Sequence, residues 1–296
     1  MKVKDPELIK YFYLDLSIDE LVDKMQNIKI VLNNSQTDVP FDAQVKDFKS
    51  ASDEEGNTWI VKKIESAEVL IHKLQEIAFY IDFLLDTLAA PSILKNINNT
   101  FYRATKVVKK ATNISGYNYL VEPYRKVLTN DLVNRWLFFD EDRNPNNYMV
   151  IHNSKMEPFV VAIDYNKADL LSEELKITGN DKEFGWFRQE KTRFLTLLKP
   201  ANFENLNIGN FEYRLSSLMS VSCNKIKDIS QKVLTGFVSD PEVKAELVCK
   251  NFEMRRKYIN EYFRRWFKDT VLEKDKDNSE YSAFGQSFLK MHQDKK

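Results

Sequence analysis

The sequence predicts a two-lobed α+β fold: a small antiparallel sheet carrying one long helix, followed by a mostly helical half. Three observations lead there. Between residues 43 and 122 the hydrophobic pattern runs strand, strand, helix, strand, strand. Inside it, residues 66–89 carry a continuous apolar stripe through Leu70, Leu74, Ile77, Ile81, Leu85 and Leu88 at helical spacing. Beyond residue 170 the apolar positions recur mostly at helical intervals.

Residues 7–32 read as helical, with Ser17 and Glu20 spaced as a capping box ahead of Ile18, Leu21, Val22 and Met25. A polar connector fills 33–42. Runs at 43–50 and 57–64 flank Asp53-Glu54-Glu55-Gly56-Asn57 as a β-hairpin. After the long helix stops before Pro91, strands are expected over 100–112 and 117–122. A helix over 127–139 precedes a polar break at 140–147. Two strands follow, Tyr148 to His152 and Phe159 to Ile163, joined through Asn153-Ser154-Lys155. Phe194, Leu195, Leu197 and Leu198 suggest one of the later helices, and the last is expected over 241–268. The expected organisation is therefore a helical extension (1–42), a first lobe (43–122), a second lobe (123–268) and a charged tail (269–296).

The 296 residues carry 44 basic and 44 acidic side chains. With that balance no global field draws the chain to nucleic acid or to an anionic membrane. Two cysteines in so long a chain suggest a reducing compartment, and neither a secretory leader nor a long apolar run is read, so cytoplasm is the expected location. The cationic last helix, with Arg255, Arg256 and Arg264 among aromatics, reads as amphipathic with its charges in water. The three histidines, His72, His152 and His292, are too scattered to suggest a metal site.

The chemistry concentrates between 138 and 165. If 148–152 and 159–163 pair across a turn near 155, Asn147 comes to lie beside Asp164 at the open end of the hairpin, with Asp142 in the loop feeding that end. Two carboxylates and a carboxamide there would be hard oxygen ligands suited to Mg²⁺ shared with phosphate.

An Asp five residues before an Asn, then a hairpin ending in an acid, is the catalytic-loop and metal-loop layout of kinases. Asp142-Arg143-x-x-x-Asn147 resembles the catalytic loop of HipA-like and phosphatidylinositol 3-/4-kinase-like kinases, and Ile163-Asp164-Tyr165 resembles their metal motif. The likeness extends over roughly 43–235. It implies that Asp142 orients or deprotonates the attacking hydroxyl, and that Asn147 and Asp164 hold Mg²⁺ against the phosphates of ATP. It further implies a strand lysine paired with a helix glutamate. Lys62, with Lys63 in reserve, is the lysine, and Glu76, opposite the main stripe and near Val69, Tyr80 and Phe83, is the glutamate. By the same likeness Leu120, Val121 and Glu122 would meet the adenine, while Ser50 and Ser52 would cover the phosphates in place of a glycine-rich loop.

The departures are the absence of Gly-x-Gly-x-x-Gly and of His-Arg-Asp, and Tyr-Asn rather than Phe-Gly after Asp164. The expected activity is ATP- and Mg²⁺-dependent phosphoryl transfer to a protein Ser/Thr hydroxyl. A lipid kinase ranks behind it because no basic membrane-binding loop is read. Transfer of another group from ATP, such as a nucleotide, is a further variant, and a nucleotide-binding scaffold is the non-enzymatic alternative.

Overall fold

The computed structural model describes residues 3–33, 48–119, 121–140, 145–172 and 207–266. Its fold is α+β, with an antiparallel sheet and one long helix ahead of a mostly helical C-terminal part. The expected helix at 194–198 lies outside the described residues.

The region expected to be one helix over 7–32 is three elements. Helix α1 (Pro6–Tyr11) is capped by Asp5, whose Oδ1 accepts from the Glu7 and Leu8 amides. Tyr13 then takes a positive φ of 59°, which breaks the helical path. Helix α2 (Ile18–Asn27) restarts on the Ser17/Glu20 capping box and buries Leu21, Val22 and Met25. Strand β1 (Ile30–Leu32) follows, so the sheet begins well before residue 43.

The sheet has the order β1-β2-β3-β5-β4, all antiparallel neighbours, with β2 Phe48–Asp53, β3 Thr58–Lys63, β4 Ser92–Ile97 and β5 Thr100–Lys106. Its outer strands β1 and β4 approach each other, so the sheet curls. Ala51, Trp59, Val61, Ala104 and Ile93 alternate onto one buried face. Strand β4 was not read from the sequence, and the described residues of 117–122 (117–119 and 121–122) form no strand.

Helix α3 (Val69–Leu84) connects β3 to β4. It ends at Leu85, and Asp86 turns the chain with φ 55°. It is buried on almost every side from Lys73 to Asp82, because β4 packs on one flank and a later helix on another.

A second, three-stranded sheet has the order β6-β7-β8, with β6 Thr112–Asn113, β7 Tyr148–His152 and β8 Pro158–Ala162. Helix α4 (Tyr124–Phe138) packs beneath it. The segment leading into β4 meets the second sheet where Ala90 N donates to Ala162 O at 2.9 Å. Three helices follow among the described residues: α5 (Glu212–Ser220), α6 (Cys223–Leu234) and α7 (Pro241–Trp266).

Arg255 departs from the expectation for the last helix. It is 1% exposed and donates to the carbonyls of Leu137, Asp169 and Ser172, pinning α7 to the chain that leaves the second sheet. Cys223 and Cys249 are joined as a disulfide between α6 and α7, the pairing that two cysteines left open, although their small number had suggested a reducing compartment. Among the described residues no helix is long and apolar enough to cross a membrane.

Candidate functional site

The β7–β8 hairpin forms as expected, with a register one residue away from the expected one. Tyr148 pairs with Ala162 and His152 with Pro158. The turn sets this. Asn153 Oδ1 accepts from the amides of Lys155 and Glu157, and Met156 takes φ 62°. Asn147 therefore lies opposite Ile163, whose amide donates to Asn147 O at 2.9 Å. Asp164 comes one residue later, at φ 69°, still at the same open end.

Asp164 is held by its own turn and by β5. Its Oδ1 accepts from the Asn166 amide at 3.1 Å, and its Oδ2 from Asn166 Nδ2 at 2.5 Å. Arg103 makes an ion pair with Oδ1 at 3.3 Å and also reaches Asn166 Oδ1. Helix α3 joins from the side. Gln75 Nε2 donates to Asn166 O at 3.0 Å, and His72 Nδ1 lies 2.8 Å from Gln75 Oε1. Burial, more than any other influence, holds the His72 imidazole below its usual pKa. Thus β5, α3 and the end of β8 converge on one short loop.

Lys62 stands directly across from Arg103 in the β3–β5 ladder, so both side chains leave the same face of the sheet. It is exposed. Lys63 is exposed too, and alternation places it on the opposite face. Ser50 and Ser52 share the Lys62 face through the β2–β3 register. Their hydroxyls, however, bond the Asn33 side chain at 2.8 and 3.0 Å. They sit within a strand, and the turn beyond them is organised by Asp53, which accepts from the Glu55 and Asn57 amides and from Trp59 Nε1. The expectation of a serine loop over phosphates is therefore corrected.

Glu76 is corrected as well. Its carboxylate is 2% exposed and takes Lys73 Nζ at 2.9 Å, the Leu94 amide at 3.0 Å and the Tyr80 hydroxyl at 3.3 Å. A buried carboxylate does need a cation. Its ion-pair partner comes from its own helix three residues earlier rather than from Lys62.

The stretch expected to lie between the lobes, 117–122, is not where the chain passes between the two sheets. The chain crosses from the first sheet to the second through residues 107–111, between β5 and β6. Val121 is half exposed, Glu122 pairs with Arg125 at 3.6 Å, and both lie in the turn that opens α4. Leu120 and Asp142 lie outside the described residues.

A buried polar network that sequence reasoning missed backs the loop. Asp82, at the end of α3, accepts from Tyr165 Oη at 2.7 Å and from Asn134 Nδ2 at 2.6 Å. Beside it Asp131 and Asp140 both grip Arg135, and the Tyr148 hydroxyl bonds Asp131. Burial, followed by the nearby Asp131 charge, pushes the Asp82 carboxyl up to about 7. The available signals were Asp and Asn inside apolar helices, and an Asp-x-Asn turn after β8.

With this geometry in view, comparison with known proteins gives little. No family model matches the chain, and no curated protein matches it. Eight solved chains do match. One is the Helicobacter pylori proinflammatory kinase CtkA, at a TM-score of 0.49 and 16% identity, covering 78% of this chain and 93% of that one.

Proposed function

We propose that this chain is an ATP- and Mg²⁺-dependent phosphotransferase whose acceptor is a protein Ser/Thr hydroxyl. One observation carries the reading. Lys62 and Arg103 share a sheet face, and Arg103 ends on the carboxylate of Asp164, at the open end of the hairpin that begins after Asn147.

The donors suit a hard cation. Asp164 offers carboxylate oxygens on a side chain 26% exposed, and Asn147 adds an amide at the same strand end. Asn147 and Asp164 would hold the metal, which when bound would neutralise the phosphate oxygens during transfer. Lys62 would bring its ammonium to the same phosphates from the sheet. Asp142 would accept the proton of the attacking hydroxyl. Gln75 and Arg103 fix the Asp164 loop, and the crossing segment 107–111 takes the place proposed for the adenine edge. The division into a first and a second lobe, joined at that crossing, belongs to the same proposal, as does a cytoplasmic location.

A second reading is a nucleotide-binding scaffold without transfer. It is favoured by the engagement of Glu76 with Lys73, which leaves Lys62 without the helix glutamate that kinases use. Assay of γ-phosphate transfer separates the two. Wild type should transfer, and Asp164→Asn and Asp142→Ala should each lose roughly 10²-fold or more. Equal rates in all three would end the phosphotransferase reading, and nucleotide binding without transfer would establish the scaffold.

A further inference from the structure

Helix α3 carries two side-chain pairs at i,i+3 spacing, offset by one residue and therefore turned about 100° from each other. Lys73–Glu76 is the charged pair. His72–Gln75 is the neutral one, and it is the pair that meets the Asp164 loop.

The hydrogens of the neutral pair follow from what it touches. Asn166 O can only accept, so the Gln75 carboxamide must turn its NH₂ toward it, at 3.0 Å. Gln75 Oε1 then faces His72, and it too can only accept. His72 Nδ1, 2.8 Å away, must therefore carry a proton. In the neutral ring this leaves Nε2 bare. Burial first, and then the charges of Arg103 and Lys62, disfavour the imidazolium, against the opposing influence of Gln75 and Glu68. Gln75 is 3% exposed, so loss of either bond would leave a buried polar atom unpaired.

We infer that His72 and Gln75 act together as a positioning pair for the Asp164 loop, a neutral substitute on α3 for a helix carboxylate. The Nδ1–H of His72 orients the Gln75 amide, and the amide holds the loop through Asn166 O. Neutrality is part of the role. A carboxylate at position 75 would lack the N–H that Asn166 O receives, and would compete with phosphate for the positive charges of Lys62 and Arg103. The effect on ATP rests on the phosphotransferase reading; the tautomer and the two bonds do not.

Nitrogen NMR of the full chain at neutral pH reads the tautomer of His72. Protonated Nδ1 with bare Nε2 is expected, and a proton on Nε2 instead overturns the pair. Amide hydrogen exchange reads the loop. Gln75→Met keeps the length of the side chain and removes its bonds, so exchange at Asn166 should quicken about tenfold while amides of α7 keep their rates. His72→Leu should quicken it as well, and His72→Asn, which restores a donor, should bring it back toward wild type. Unchanged exchange at Asn166 in Gln75→Met, or the same acceleration throughout the chain, overturns the positioning role. Binding of ATP with Mg²⁺ should weaken about tenfold in Gln75→Met and more in Gln75→Glu; wild-type affinity in Gln75→Glu overturns the claim of neutrality. Should wild type bind no ATP, the phosphotransferase reading falls, and the tautomer and the exchange rates still decide the pair.

Discussion

The hydroxyl of Tyr165 donates to Asp82 Oδ2 at 2.7 Å, and this bond ties the residue after Asp164 to the C-terminal end of α3. Asn134 of α4 holds the other oxygen at 2.6 Å. The Asp164 loop is thus anchored from beneath by two helices and from above by Arg103 of the sheet. A loop so fixed keeps its carboxylate in place before any ligand arrives.

That anchor gives a pH signature. The Asp82 carboxyl is raised from 3.8 to about 7 by burial and by Asp131. Between those values the folded state binds a proton that the unfolded state has released, so this group's contribution to stability falls as pH rises from about 4 to about 7. The span corresponds to at most about 4 kcal/mol. Denaturant unfolding at several pH values should show that decline in wild type, and a flatter profile over the same window in Asp82→Asn. Parallel profiles would remove Asp82 as the cause.

Glu76 and Lys62 should separate stability from activity. Glu76→Ala leaves Lys73 buried without its counter-ion, a loss of about 3–5 kcal/mol. Lys62→Ala, at an exposed position, should shift stability by no more than about 0.5 kcal/mol, yet reduce nucleotide affinity or transfer. Chemical unfolding of both variants, alongside the transfer assay, checks this. A severe loss of stability in Lys62→Ala would show that its place in the fold is misread.

Arg103 is a cation already resting on Asp164. Its removal takes away a positive charge that competes with metal for that carboxylate, while Asn166 still donates to both oxygens, so Arg103→Ala should lower the Mg²⁺ concentration giving half-maximal nucleotide binding, and Arg103→Lys should do so less. Titrating Mg²⁺ at fixed ATP measures it. A higher Mg²⁺ requirement would mean that Arg103 matters chiefly by holding the loop.

What the sequence made legible was local. The Ser17/Glu20 box and the alternation of 148–152 with 159–163 announce α2 and the hairpin because both signals lie within a few residues of the element. The register slipped by one because Asn153, Lys155 and Glu157 centre the turn through side-chain bonds that alternation does not encode. The Lys73–Glu76 pair was also locally readable, at i,i+3 spacing. It was missed because the far face of α3 was expected to point at the sheet lysine. By contrast, β1 is a strand only because β2, some twenty residues on, pairs with it. Lys106 contacts Tyr13 from over ninety residues away, where the expected first helix breaks. Arg103 and Asp164 meet only once both sheets are assembled, and no spacing in the chain reports that.

The most direct test is equilibrium binding of ATP to the full chain with and without Mg²⁺, by calorimetry, for wild type, Lys62→Ala and Asp164→Ala. The account predicts saturable, Mg²⁺-dependent binding in wild type, at least about tenfold weaker in each variant, a loss of roughly 1.4 kcal/mol. Binding that neither variant changes, or none in wild type, would contradict it.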